Sequence, residues 1–177
     1  GGGAGLGVNR AMEESAVQAG GGNTYGGVGR ERKARARGRR PLSSMSPTVI
    51  RDADRRVRMV IGAPGGPKII TAVTQVVLRV LLLEQGLVEA VAAPRLHQQW
   101  RPVETRFEGG WPPELVAELE GRGHPVRVQP GASFASVQAI RVRLEVDEDG
   151  EPVSRVVVAS DPRRGGVGGV EGEGLTV

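Results

Sequence analysis

The amino-acid sequence predicts an α+β layer structure, and three observations carry that prediction. "RVRMVIG" (residues 56–62) alternates apolar and basic residues, "KIITAVTQVVLRVLLLEQG" (68–86) is apolar at helical spacing, and "VQAIRVRLEV" and "PVSRVVVAS" flank an Asp-Gly turn. With two more helical patterns in between, the order strand, helix, short helix, helix, strand, strand points to this class. No internal repeat is present.

The 177 residues are enough for one domain with a core of its own. Apolar residues make up 38% and aromatics number only five, so that core must be mostly Val, Leu and Ile. Cysteine is absent, which excludes disulfides and thiolate chemistry but leaves the compartment undecided. No apolar run reaches the 18 residues a membrane-spanning helix needs. The first residue is glycine with no charged-then-apolar leader after it, so the chain is expected to be a processed piece or a fragment.

Taken in order, residues 1–40 form a glycine- and arginine-rich segment. "GGGAGLG" and "AGGGN" are expected to be flexible, and "NRAMEES" to form at most a turn of helix. Residues 41–165 form the folded domain, and 166–177 a mobile glycine-rich tail. In 56–62, Val57, Met59 and Ile61 oppose Arg56 and Arg58, as in a half-buried strand. Length favours helix for 68–86 in spite of its β-branched residues. Its inner face is read as Ile69, Val73, Val76, Val77, Val80 and Leu83, with Gly86 as the C′ stop. The near-absence of charge predicts burial on most sides. "LVEAVAAP" (87–94) is a short helix ended by Pro94. "PPELVAELEGRGH" (112–124) is another, with Pro112 or Pro113 in its first turn and Gly121 or Gly123 as its stop. Asp149-Gly150 turns the closing hairpin.

Two stretches could carry chemistry. In "VIGAPGGPKII" a strand ends, Gly65 and Gly66 follow, and a helix begins. Backbone N–H groups at such a junction have no intrahelical partner, and glycine lets another atom approach them. They could serve as an oxyanion hole, although a tight strand-to-helix turn alone would also explain them. The Walker spacing is missing, so this is no phosphate loop. In "RRPLSSMSPT" (39–48), Pro41 and Pro47 stiffen an extended loop that aims Ser43 and Ser44 in set directions, suited to a polar ligand.

Together, "PLSSMSPT", "GAPGGPKIITAVTQVV", "AVAAPRLHQQW" and "ASDPR" resemble the small subunit of γ-glutamyltransferases, also called glutathione hydrolases, over roughly residues 5–165. The resemblance implies an N-terminal-nucleophile hydrolase with a four-layer αββα sandwich, incomplete in this chain. It implies transfer or hydrolysis of the γ-glutamyl group of glutathione, the large subunit of the same precursor as partner, a periplasmic or extracellular location, and no metal or organic cofactor. Position by position, it implies that Ser43 and Ser44 hold the substrate's α-carboxylate, Gly65 and Gly66 the oxyanion, and Glu14 the α-amino group. The chain also departs from the family. The nucleophilic threonine that would begin the small subunit is missing, and Thr24, Thr48 and Thr71 are internal and cannot supply a free α-amine. The chain alone is therefore expected to be inactive. Glu14 replaces the usual aspartate and Ala11 a glutamine, which leaves open a related acylase acting on glutaryl or polyglutamyl amides.

Other residues read more plainly. His97 is expected to pack or hydrogen-bond beside Trp100, His124 to face solvent, and Asp161 to accept backbone N–H groups in a turn. The acids of "EVDEDGE" lack calcium-loop spacing. Residues 30–40 hold seven basic residues and one acid, a possible nucleic-acid arm. No aromatic is interleaved for base stacking, and a solvated loop explains the run better.

Overall fold

The computed structural model describes residues 37–38, 43–131, 134–166 and 168. The glycine-rich start, the "NRAMEES" turn, Ala11, Glu14, most of the arginine run and nearly all of the tail lie outside the described residues. The chain divides into two compact units, Gly1–Ser44 and Met45–Val177. Every element below belongs to the second.

In chain order the elements are β1 (Thr48–Arg51), β2 (Val57–Gly62), α1 (Lys68–Leu81), α2 (Leu87–Ala92), β3 (Leu96–His97), β4 (Thr105–Glu108), α3 (Pro113–Gly121), β5 (Val126–Gln129), β6 (Gln138–Val146) and β7 (Pro152–Ser160). The class is α+β. The larger sheet runs β1-β2-β6-β7, antiparallel throughout. The smaller runs β3-β4-β5, where β4 and β5 are parallel and α3 connects them.

Strand alternation and helical spacing meet in one core. Met59 and Ile61 of β2, Ala139 of β6 and Ala159 of β7 share a face of the larger sheet. Onto that face pack Ile69, Ala72, Val73, Val76 and Val80 of α1 and Leu87, Ala90 and Val91 of α2. Each large aliphatic side chain removed from water here contributes on the order of 2 kcal/mol. The other face of the same sheet is also apolar yet open: Val49, Val60, Ile140 and Leu144 are each more than 40% exposed.

The closing hairpin forms as its Asp-Gly signal predicts. Val146 pairs with Pro152, Gly150 takes φ 85°, and Asp147 Oδ1 accepts from the N–H of Asp149 and of Glu151. The helix at 113–121 also forms, with Pro113 in its first turn and Gly123 (φ 86°) just beyond its end.

Three expectations need correction. Helix α1 stops at Leu81, and the left-handed residue after it is Glu84 (φ 53°); Gly86 is instead the N-cap of α2. Leu83, read as part of the inner face, is 64% exposed because the helix has ended before it. Nor is α1 buried on most sides, since Ile70, Leu78 and Leu81 point to solvent. Finally, β1, β3, β4 and β5 were not foreseen. Strands of two to four residues such as "LH" and "VRVQ" are too short for alternation to show.

The two faces of the larger sheet should respond differently to truncation. In denaturant melts of the isolated chain, Ile61→Ala is expected to cost about 2–5 kcal/mol, as buried Ile truncations do. Ile140→Ala, on the open face, should cost under about 1 kcal/mol. Equal losses would contradict the assignment of the core to one side.

Candidate functional site

Between β2 and α1 the chain turns through Gly65 (φ 148°) and Gly66 (φ 61°), backbone geometry that favours glycine. Space requires it as well. A Cβ on Gly65 would lie 2.7 Å from the Cα of Ala135, closer than two carbons can pack. The turn is anchored by Ser136 N–H donating to Pro64 O at 3.2 Å and Ile69 N–H donating to Gly66 O at 3.0 Å. Gly65 is half-buried and Gly66 buried, and among the described residues no group accepts from the N–H of either. The N-cap, Pro67, supplies no side-chain cap, and no acid occupies the first turn of α1. Neither a capping side chain nor a first-turn acid therefore offsets the positive end of the helix dipole. This is a pair of fixed donors suited to a developing negative oxygen.

What fixes Ala135 against Gly65 is a buried ion network that reading the sequence did not find. Residues 134–137 form a strap held at each end by a carboxylate. Glu108 accepts from the N–H of Phe134 and Asp161 from the N–H of Val137, at 2.8 and 2.7 Å. Arg95 lies beneath the strap, 1% exposed. Its Nη1 donates to the carbonyls of Phe134 and Ala135, and its Nη2 lies 2.8 Å from Asp161 Oδ2. Arg163 bridges the two acids and donates to Val91 O and Ala93 O of the α2 end. Ala135 itself sits at φ 66°, a strained setting for a residue with a side chain, and this bonding holds it there. Asp161 does accept backbone N–H groups in its turn, as expected, but it is also the fully buried partner of Arg95.

Burial alone would push the Asp161 carboxyl up. The N–H groups of Arg163 and Val137 and the Arg95 guanidinium outweigh it and hold the group below the ordinary aspartate value. Burial, then the charge of Arg163, lowers Arg95, and Asp161 opposes them. Burial likewise lowers Arg163, but its bonds to Glu108 and Asp161 more than reverse this.

His97 is buried, and both of its ring nitrogens are bonded: Nδ1 to Thr71 Oγ1 and Nε2 to Gln99 Oε1, each at 2.8 Å. The Thr71 hydroxyl facing Nδ1 also lies 3.1 Å from Lys68 O, and Gln99 Oε1 only accepts, so Nε2 carries a ring proton. Burial lowers its pKa; the Gln99 bond opposes this, and the Lys68 and Arg106 charges reinforce it. Its aromatic neighbour is Phe134, with centroids 6.3 Å apart. Trp100, expected beside it, is instead 71% exposed with the Arg101 guanidinium over its ring, at a backbone φ of 75°. His124 is exposed, as expected.

Of the other residues the sequence singled out, Ser43 is exposed and Ser44 half-buried, both in the unit Gly1–Ser44. Glu14 lies outside the described residues. Among the described residues no cluster of acids and histidines could hold a metal ion, and no helix is long and apolar enough to cross a membrane.

A sequence model of gamma-glutamyltranspeptidase matches residues 2–170, nearly the whole chain. The chain belongs to the gamma-glutamyltranspeptidase family. It is 38% identical over 156 residues to the glutathione hydrolase proenzyme of Escherichia coli K12, an alignment covering 88% of this chain and 25% of that protein. The corresponding protein of Pseudomonas aeruginosa is 36% identical over 169 residues, covering 94% and 28%. A crystal structure of the Helicobacter pylori gamma-glutamyltranspeptidase T380A mutant superposes with a TM-score of 0.77 at 37% identity, covering 92% of this chain and 83% of that one. The Pseudomonas nitroreducens gamma-glutamyltranspeptidase complexed with L-DON gives 0.75 at 33% identity, covering 95% and 83%. The chain spans about a quarter of the length of the curated relatives it matches. The family is one of enzymes that carry the names glutathione hydrolase and gamma-glutamyltransferase.

The ion network makes two measurable demands. Asp161→Asn leaves Arg95 buried without its charge partner and should cost about 3–5 kcal/mol in denaturant melts; a loss below about 1 kcal/mol would show the pair to be dispensable. The pH dependence follows from the pKa directions. A buried neutral His97 makes stability fall as pH drops below about 6.5. Asp161, with its pKa depressed, contributes fully above about 3.9 and loses that contribution as pH falls through its lower folded value. Melts across pH should therefore show two acid limbs, the upper one missing in His97→Gln.

Proposed function

We propose that this chain is the C-terminal part of a γ-glutamyltransferase small subunit. The parent protein would pass the γ-glutamyl group of glutathione to water or to an amino acid. In this reading a threonine hydroxyl outside the chain attacks the γ-amide carbon while its own α-amine takes the proton. The tetrahedral oxyanion rests on the N–H groups of Gly65 and Gly66. Its collapse expels the amine and leaves an acyl-enzyme for water or an acceptor amine to cleave. Ser43 and Ser44 donate to the substrate's α-carboxylate, and Glu14 receives its α-amino group. The observation that carries this reading is the Gly65–Gly66 turn: two N–H groups with no acceptor among the described residues, at a helix start without a side-chain cap, where a Cβ on Gly65 would collide with Ala135.

The partner in this reading is the large subunit of the same precursor. The open apolar face with Val60, Ile140 and Leu144 is where the second sheet of an αββα sandwich would pack. The strand β7, which ends the larger sheet among the described residues, offers an edge for a further strand. A periplasmic or extracellular location goes with this reading. Glu14 and Ala11 leave open a second possibility, an acylase for glutaryl or polyglutamyl amides, which release rates across those amides and glutathione would separate.

If the nucleophile lies outside residues 1–177, as this reading has it, the isolated chain should release no burst of p-nitroaniline from a γ-glutamyl anilide; a burst lost in Ser43→Ala would overturn that. In the full-length parent, Ser43→Ala with Ser44→Ala should raise KM strongly, and an unchanged KM removes the carboxylate assignment. Gly65→Ala in the parent should lower kcat about 100-fold, the usual loss for one oxyanion donor displaced.

A further inference from the structure

Along β6 the residues on the helix-covered face run Ala139, Arg141, Arg143, so the apolar row gives way to two arginines. Arg141 stands in register between Met59 of β2 and Val157 of β7, at the margin of the core. Its Nη1 is buried and has no hydrogen-bond partner among the described residues. A buried donor left unsatisfied is destabilising, and more so when it is charged. The neighbouring cations are already neutralised elsewhere: Arg58 faces Asp52 at 4.0 Å, and Arg155 is paired with Glu145 at 2.8 Å. Arg141 and Arg143 have no ion-pair partner among the described residues. Burial, then the charges of Arg143 and Arg58, hold Arg141 below the ordinary arginine value, and Glu84 is the one carboxylate opposing them.

Beside these two arginines lies a cavity of about 280 Å³. Leu87, Val88 and Val157 form its apolar lining, Arg141 and Arg143 its cationic one, and Glu89 also borders it. That volume lies just below the usual range for small-molecule sites, so any guest must be small. A guanidinium presents a planar fork matched to a carboxylate, and the apolar lining asks for more than a bare ion. Glu89 adds a negative charge that disfavours a doubly charged guest.

We infer that this cavity binds a small organic monocarboxylate, its head on Arg141 and Arg143 and its apolar body against Leu87, Val88 and Val157. The site shares no residue with the Gly65–Gly66 turn and stands independently of the reaction proposed above.

Calorimetric titration of the full chain with benzoate, and separately with inorganic phosphate, tests it. Benzoate should bind saturably and phosphate markedly more weakly. Arg143→Gln, at an exposed position where the fold is indifferent, should weaken benzoate several-fold. Arg141→Gln should weaken it about tenfold or more, the value of one hydrogen bond to a charged group. Glu89→Gln should tighten binding of both anions. The inference is overturned if benzoate shows no saturable binding up to about 10 mM, an affinity of roughly 3 kcal/mol. Wild-type affinity in Arg143→Gln, or phosphate binding as tightly as benzoate, would overturn it too.

Discussion

The arrangement of this chain depends on four charges that water does not reach freely: Asp161 with Arg95, and Glu108 with Arg163. Each carboxylate spends one of its oxygens on a backbone N–H of the strap at 134–137, and each arginine spends donors on backbone carbonyls. The network therefore fastens main chain to main chain. It joins the end of α2, the end of β4, the entrance to β6 and the exit from β7, four places far apart in sequence. A hydrophobic contact could supply comparable energy, but it lacks direction. The alignment of Ala135 against Gly65 needs direction.

This dependence explains why the glycine turn is rigid without a capping side chain. Pro67 cannot donate or cap, and nothing acidic sits in the first turn of α1. The loop is located from outside, by Ser136 N–H on Pro64 O and by the close approach of Ala135. The two glycine N–H groups then need no internal acceptor to hold their place.

Much of this was legible in the sequence, and the rest was hidden for physical reasons. Alternation located β2 and the β6–β7 pair, because those strands bury one face behind helices. Pro113 and Gly123 bracketed α3, since their backbone preferences act locally. The glycine pair could be seen as a turn, but its reason could not: Ala135 is seventy residues further on, and packing across that distance leaves no local mark. The ion network was missed for the same reason. Asp161 was readable as a turn residue, whereas its pairing with Arg95 exists only after folding. The end of α1 misled because "LLLEQG" continues an apolar run past the helix, and composition does not report which leucines face water. For Ser43, Ser44 and Glu14 the family resemblance supplied roles that composition and spacing alone do not dictate.

The hairpin of β6 and β7 is longer than the sheet that supports it. Nine residue pairs join the two strands, but β2 backs only the four from Gln138 to Arg141. Among the described residues no third strand backs the remaining rungs, which form a two-stranded ribbon with Val146 more than two-thirds exposed at its tip. Backbone amides along one continuous strand should then exchange with solvent in a graded order, fastest at the turn and slowest beside Ile61. A single strand would thus record both the local and the global opening of the fold.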